Sequence, residues 1–414
     1  MSQALSPRRE RWLLLTLAGV QFTHILDFMI MMPLGPQFTQ LFRITDAQFG
    51  LLVSVYTFAA GASGLVASTY IDRFDRKRLL LVLYALFGLA TLACGLASSY
   101  GLLMTARIAA GIFGGVLSAL SQTIVGDVIP FARRGRAMGI VMTSFSVATV
   151  AGVPLGLFLA AHLSWHAPFI GIALLCGLLG VMAVWTLPPL GQHLADQAGR
   201  SVLSGIRRVL ADVNHLKAFV FSALMMFAGF TVIPYITIYM RSNVGLRVDE
   251  IPYIYLCGGV VTLFTARLFG RMADRKGKVE TFRLLAIAMT VPMLATTLLG
   301  KVPLGWVLLV STLLFTCMSG RMIPGMAIVT SAADPQLRGT FMTLNAAVQS
   351  AAMGLAAFVG GLIIERDAQG LVQNFWMSAV LGSCASLAAV WMAGRLTLHG
   401  ARATISSAGT AGKT

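Results

Sequence analysis

Asp27 is the only carboxylate that falls deep inside a long apolar stretch of this chain, within QFTHILDFMIMMPLGP at Gln21–Pro36. A carboxylate at mid-bilayer costs about 2.5–3.5 kcal/mol on insertion scales. Protonation, a charged partner or a water-filled cavity lowers that cost, and moving a proton across a membrane requires the same things. The competing reading is an Asp that only closes a helix–helix hydrogen bond. His24 stands three residues earlier, on the same helix face, either as a titrating group or as a structural donor. Arg107 lies in a later apolar stretch. An arginine there needs a carboxylate, carbonyls or water, and Asp27 is the deep acid on offer. A carboxylate holds its proton differently beside an arginine and away from one, so changing the spacing of such a pair couples protonation to conformation. A static pair, or carbonyl anchoring of Arg107, is the alternative.

The elements that position these residues follow from composition. The chain has 414 residues, 57% of them hydrophobic and 11% charged, with mean hydropathy +0.81. These values exclude an ordinary soluble domain. Uncharged runs of bilayer length recur as continuous rather than alternating apolar sequence, which predicts helices and not barrel strands. Twelve spans are expected, near 12–34, 48–71, 79–98, 101–126, 136–160, 166–187, 217–240, 250–270, 281–300, 303–330, 340–364 and 373–394. Most of the 31 Lys and Arg residues fall on the side of the two chain ends. The opposite loops hold only Arg43, Arg241, Arg247, Lys301 and Arg366. This positive-inside pattern orients both termini to the cytoplasm, and it accounts for the net charge of +16 without nucleic acid. The basic start MSQALSPRRER shows no cleavable signal pattern. Five cysteines in apolar runs form neither a disulfide framework nor a metal spacing.

Local signals mark several ends. Pro33 and Pro36 end or bend the first helix. Thr45 to Gln48 has the spacing of a capping box, and Pro252 after Asp249-Glu250 begins the eighth span. Within the long polar connection 190–216, Val202, Ile206, Val209, Leu210, Val213 and Leu216 share one helical face, predicting an amphipathic helix on the inner membrane surface. The connection separates a six-span half at 1–189 from another at 217–395, and a tail at 396–414 is expected to be disordered. The halves repeat. Asp72-Arg73 and Asp274-Arg275 lie 202 residues apart, Pro33 and Pro234 lie 201 apart, and Arg134-Gly135 and Arg338-Gly339 lie 204 apart. At this offset Asp27 corresponds to Ala228, so the acid belongs to the first half alone.

After the eighth span the sequence reads Gly270-Arg-Met-Ala-Asp274-Arg275-Lys-Gly277-Lys278. It resembles the loop signature G-x-x-x-D-R-x-G-R/K of the major facilitator superfamily. Asp274 can accept bonds from a helix N-terminus or a cation; Arg275 and Lys278 can hold carboxylates of the opposite bundle, and Gly277 permits a tight turn. The first-half counterpart keeps Asp72, Arg73, Arg76 and Lys77 but carries Ser68 and Asp75 where the signature has glycine. The resemblance implies a gating role for both loops; positive-inside anchoring alone is the alternative. Arg107-Ile-Ala-Ala-Gly111 resembles the R-x-x-x-G motif of proton-linked members. Gly152-Val-Pro154-Leu-Gly156 is similar to the antiporter motif in its drug and sugar efflux form, although ordinary helix packing needs the same residues. Ser319 to Gly325, around Arg321, also resembles that branch; Arg321 either faces the cavity or snorkels inward.

The resemblance implies an all-α membrane protein of twelve transmembrane helices in two pseudo-symmetric six-helix bundles, the major facilitator fold, with a site at the bundle interface. It implies proton-coupled efflux of drug-like or amphipathic molecules across a bacterial inner membrane by alternating access. The alternatives are export of one metabolite such as a sugar, amino acid or siderophore, proton-coupled uptake, and a receptor or scaffold that moves nothing. Proton coupling is expected from Asp27, Arg107 and His24. Candidate substrate contacts are Met31, Tyr56, Tyr235, Arg321, Asn345 and Gln349. The chain carries no nucleotide-binding motif, so no cofactor or metal is expected and the proton gradient is the driving force. The expected partners are a small-molecule substrate, protons and the lipid bilayer, with no nucleic acid and the chain acting as a monomer. The protein is not expected to be an enzyme.

Overall fold

The computed structural model describes residues 6–129, 133–190, 202–334 and 336–398. The start of the chain, most of the connection around 191–201, and the tail from 399 lie outside it, as does the side chain of Asp72. Twelve helices among the described residues are long and apolar enough to cross a membrane. We call the face carrying Ser6 and Leu398 the inner face.

In the first half, α1 (Pro7–Ile30) starts at Ser6, whose hydroxyl accepts from the Arg9 amide, and stops ahead of Pro33. A turn and the short α2 (Gly35–Leu41) finish the first span. The predicted capping box starts α3 (Asp46–Tyr70): Thr45 accepts from the Gln48 amide at 3.2 Å, and Gln48 accepts from the Thr45 amide at 2.9 Å. Next come α4 (Arg76–Gly95) and α5 (Tyr100–Val128), the latter capped by Ser99. The fifth span is two helices, α6 (Arg134–Val147) and α7 (Val153–His162), joined by a wide π turn at Ala148–Gly152. Pro154 has no amide hydrogen to continue the ladder, and the extra residue of the π turn absorbs the break. The half ends with α8 (His166–Thr186).

The predicted amphipathic helix is present as α9 (Val202–Ala211), but it is shorter than expected. Asp212 caps a new helix, α10 (Val213–Phe230), by accepting from the Asn214 amide at 2.7 Å. Val213 and Leu216 therefore belong to the seventh span, which begins at 213 rather than 217. That span continues through α11 (Ile236–Tyr239). The eighth, α12 (Ile251–Lys276), runs past 270. The remaining helices are α13 (Lys278–Ala288), α14 (Thr290–Leu298), α15 (Leu304–Ala332), α16 (Arg338–Ile363) and α17 (Phe375–Ala393). A two-residue hairpin, β1 (Glu365–Arg366) with β2 (Val372–Gln373), joins the last two on the outer face.

Lipid-facing residues such as Leu174, Trp185, Phe264 and Val291 are exposed, as a bilayer permits. Within the halves, α5 packs on α3 and α4, and α15 packs on α12 and α13. Between them, α3 lies along α16 and α7 meets α12. The contacts joining the halves run from mid-span outward. Gly50 meets Tyr235 and the Ala357 carbonyl, Gly61 meets Ser350, and Gly354 meets Thr57 and Phe58. Ser54 donates to the Gly354 carbonyl at 2.7 Å. Small residues let the backbones approach this closely.

Candidate functional site

Arg107, on α5, and Asp27, on α1, meet inside the first half. Arg107 Nη1 donates to Asp27 Oδ2 at 2.8 Å and to the Asp27 carbonyl at 3.3 Å, and both side chains are fully buried. Of the three ways to lower the cost of a buried acid, the fold uses the charged partner. The carboxylate does not open onto the space between the halves. Thr91 and Cys94 of α4 lie close to the pair, and Tyr56 of α3 places its ring 4.2 Å from the guanidinium carbon. Tyr56 stacks on Phe28 with 5.4 Å between ring centroids, and Phe28 stacks on Phe230 of the second half at 6.0 Å. An unbroken aromatic row thus leads from the ion pair to the interface between the halves. His24 lies one turn inward, its ring 6.3 Å from Tyr56 and 6.0 Å from Phe87.

Why the pair forms is visible in the packing. Gly111 and Gly114 of α5 face α3 and α1, where a methyl group would strike the Tyr56 carbonyl and the His24 ring. The motif Arg107-x-x-x-Gly111 thus joins a charge to the small surface that lets α3 close over it. Gly152 and Gly156 serve the same purpose on the fifth span, against Leu26 and Ile30 of α1. Val150 of the π turn faces Gly259 of α12, so the segment around Pro154 is wedged between the acid-bearing helix and the second half.

The second half has no equivalent acid. Arg321 on α15 is fully buried; it donates from Nη2 to the Met225 carbonyl at 2.8 Å and from Nη1 to Ser386 at 3.4 Å. It therefore neither snorkels inward nor opens onto a cavity: α10 and α17 enclose it. Arg321 is thus anchored on a carbonyl, whereas Arg107 is paired with a carboxylate.

The inner loops are built differently from each other. Gly270, Asp274 and Arg275 are not in a loop but in the last turns of α12, and Gly277, at φ 95°, makes the turn into α13. Asp274 and Arg275 are exposed, and neither makes an ion pair among the described residues. Lys278 donates to Ser331 at 2.9 Å, inside its own half. In the first half, Arg73 is exposed, but Arg76 is buried and ion-paired with Asp127 at the inner end of α5. That ion pair lies within the first half. Asp75, which replaces the signature glycine, caps α4 by accepting from the Arg78 amide at 2.8 Å and also accepts from the Leu190 amide at 3.1 Å. Lys77 donates to the carbonyls of Val184 and Leu187, 2.9 and 2.7 Å away, placing a cation at the C-terminal end of α8.

Of the candidate substrate contacts, Met31, Tyr56, Tyr235 and Asn345 are buried, and only Gln349 is partly exposed. Gln349 Nε2 lies 3.5 Å from Met326 Sδ. Tyr235 sits in the outer seal, donating to the Ala357 carbonyl between Gly50 and Gly361. Sequence reasoning did not find the outer ion pair. Arg366, of the hairpin, grips Asp46, the first residue of α3, through Nε at 2.7 Å and Nη2 at 2.8 Å. Asp46 lies within the Thr45–Gln48 cap and Arg366 in an outer loop; 320 positions separate them, and nothing local joins them.

Twelve membrane-length helices in two halves of six, with a buried charge pair in one half and small-residue seams between the halves, define a membrane transporter. Residues 17–357 match the Major Facilitator Superfamily, and the chain belongs to that family. It is 24% identical over 336 residues to the MFS-type transporter YtbD of Bacillus subtilis, covering 80% of this chain and 83% of that one. It is also 24% identical over 352 residues to a probable sugar efflux transporter of Helicobacter pylori, covering 81% and 86%. Among solved structures, a D-xylose-proton symporter superposes with a TM-score of 0.74 at 17% identity, over 93% of this chain and 97% of the other. That last likeness concerns the fold.

Proposed function

We propose that the protein is a proton-coupled exporter of small organic molecules in a bacterial inner membrane, working as a monomer by alternating access. The observation that carries this reading is the Asp27–Arg107 pair, closed at 2.8 Å with no exposure of either side chain. A buried pair is a weak source of stability, because desolvation offsets most of the attraction; intramembrane ionisable residues are functional by default. Asp27 accepts a proton and releases Arg107, and the proton's departure restores the pair. Tyr56, Phe28 and Phe230 carry that change to the interface between the halves. With the outer seam closed and Asp274 unengaged, substrate enters from the inner side. On its turn outward, Asp274, Arg275, Asp72 and Arg73 close the inner end.

The test is accumulation of a cationic dye, ethidium, in cells expressing the protein. Expression should lower accumulation, a protonophore should abolish the difference, and Asp27→Asn should behave like the empty host while inserting normally. Undiminished gradient-driven export by Asp27→Asn removes the acid from the mechanism.

A second reading, export of a sugar or related metabolite, is favoured by the relative named as a sugar efflux transporter. Unchanged dye accumulation with altered release of a labelled sugar would select it. Both readings use the same coupling pair.

A further inference from the structure

The ion pair is sealed from the space between the halves, so a coupling role needs another way for a proton to arrive. Inside the first half, α1 and α5 run antiparallel and set polar groups against each other at every turn. Asp27 faces Arg107. One turn inward, His24 stands against Gly114; a methyl group there would come within 3.0 Å of both His24 Nε2 and the Tyr56 hydroxyl. A further turn inward, Gln21 Nε2 donates to Ser118 Oγ at 3.0 Å, and Ser121 follows on α5. Asp27 Oδ1, both His24 ring nitrogens, the Tyr56 hydroxyl, Gln21 Oε1 and Ser121 Oγ are buried, and by geometry none has a hydrogen-bond partner among the described residues. Buried polar atoms are normally satisfied, so six such atoms along one seam call for partners of another kind. Groups one helical turn apart, about 5–6 Å, are close enough for a single water to bridge. Ser118 is half-buried, and so is His24, although its ring nitrogens are enclosed.

The geometry points to a proton path inside the first bundle, from the inner side through Ser121, Ser118 and Gln21 to His24 and then Asp27, separate from the route of the substrate. From Gln21 to Asp27 it spans six residues of α1, about 9 Å of helix. Gln21, Ser118 and Ser121 hold water and are positioning residues. His24 takes a proton from that water on one ring nitrogen and releases the proton of the other to Asp27 Oδ1. It begins and ends neutral, and the carboxylate becomes a carboxylic acid. The reverse order delivers the proton inward. The titratable and charged groups facing Asp27 are Arg107 and, across α3 and α4, Tyr56 and Cys94; none of these three supplies a way to the inner side. The inference rests on the role given to Asp27 above and adds the route.

The experiment needs no substrate. The full chain is reconstituted in bilayers and stepped in pH, and the infrared band of the Asp27 carboxylic acid, identified by its loss in Asp27→Asn, is followed in time. Gln21→Leu and His24→Leu should each slow its appearance about tenfold, the scale of one lost hydrogen bond, with the same final amplitude. Ser121→Ala, a milder change that preserves packing, should slow it less but enlarge the solvent deuterium effect. Unaltered rates in all three variants overturn the path while leaving Asp27 in its role. Absence of any titrating band at Asp27 overturns both. A change of amplitude at unchanged rate marks these residues as structural and also overturns the path.

Discussion

The Asp46–Arg366 pair should set how tightly the outer end is closed, and its strength follows from its geometry. Arg366 grips both carboxylate oxygens at 2.7 and 2.8 Å, Asp46 is 4% exposed, and the Arg366 side chain is 35% exposed. Exposed pairs contribute about 0–1 kcal/mol, and breaking a buried pair costs about 3–5 kcal/mol. This pair lies between, at about 1–2 kcal/mol, because one partner keeps part of its water. It can exist only while the halves touch, so Asp46→Asn should shift the population towards an open outer end by about 5- to 30-fold. The two bonds from Asp46 hold the Arg366 guanidinium above its ordinary value. Its contribution is therefore complete below that ordinary value and lost only as pH rises past the raised one, beyond the range of bilayer assays. Spin labels at Ser98→Cys and Gln369→Cys, in a chain freed of its other cysteines, report the separation of the outer ends by pulsed dipolar spectroscopy. Asp46→Asn should populate a longer distance, and the swap Asp46→Arg with Arg366→Asp should restore the short one. Distance distributions that superpose on the parent, or a swap that restores nothing, would refute the reasoning.

Further outcomes follow from other contacts. Gly50→Ala should favour the same open state, since its methyl group would lie 2.7 Å from the Ala357 carbonyl oxygen, backbone that no rotamer change relieves; the same spin-label pair reads it. Asp274→Asn should slow turnover of dye export while leaving equilibrium dye affinity within experimental error, because the exposed Asp274 makes no ion pair among the described residues. Arg107→Met should lower the melting temperature in detergent, because it leaves a buried carboxylate without a partner at about 3–5 kcal/mol, and Asp27→Asn in the same chain should recover part of the loss. Asp75→Ala should cost about 1 kcal/mol as a lost helix cap, read by thermal unfolding, with dye export retained.

The lengths of the apolar runs were enough to determine twelve spans, the spacing of Thr45 and Gln48 the capping box, and the scarcity of deep charges the candidacy of Asp27 with Arg107, while the turn at Gly277 was legible from the loop signature its neighbourhood resembles. Each rests on neighbours within a few positions or on a rule about what a bilayer tolerates. Folding decided the rest. Arg76 turned to Asp127 within its own half, Arg321 was enclosed by α10 and α17, and Tyr235 joined the outer seal. Asp46 found Arg366 across the whole chain, and Gln21 found Ser118. A hydrophobic run is indifferent to rotation about its own axis, so the sequence says that a helix exists and leaves open which face it turns to which neighbour. That rotation is fixed by glycines such as Gly50, Gly111 and Gly114, whose value lies in what comes close to them, and closeness between distant segments exists only once the chain has packed.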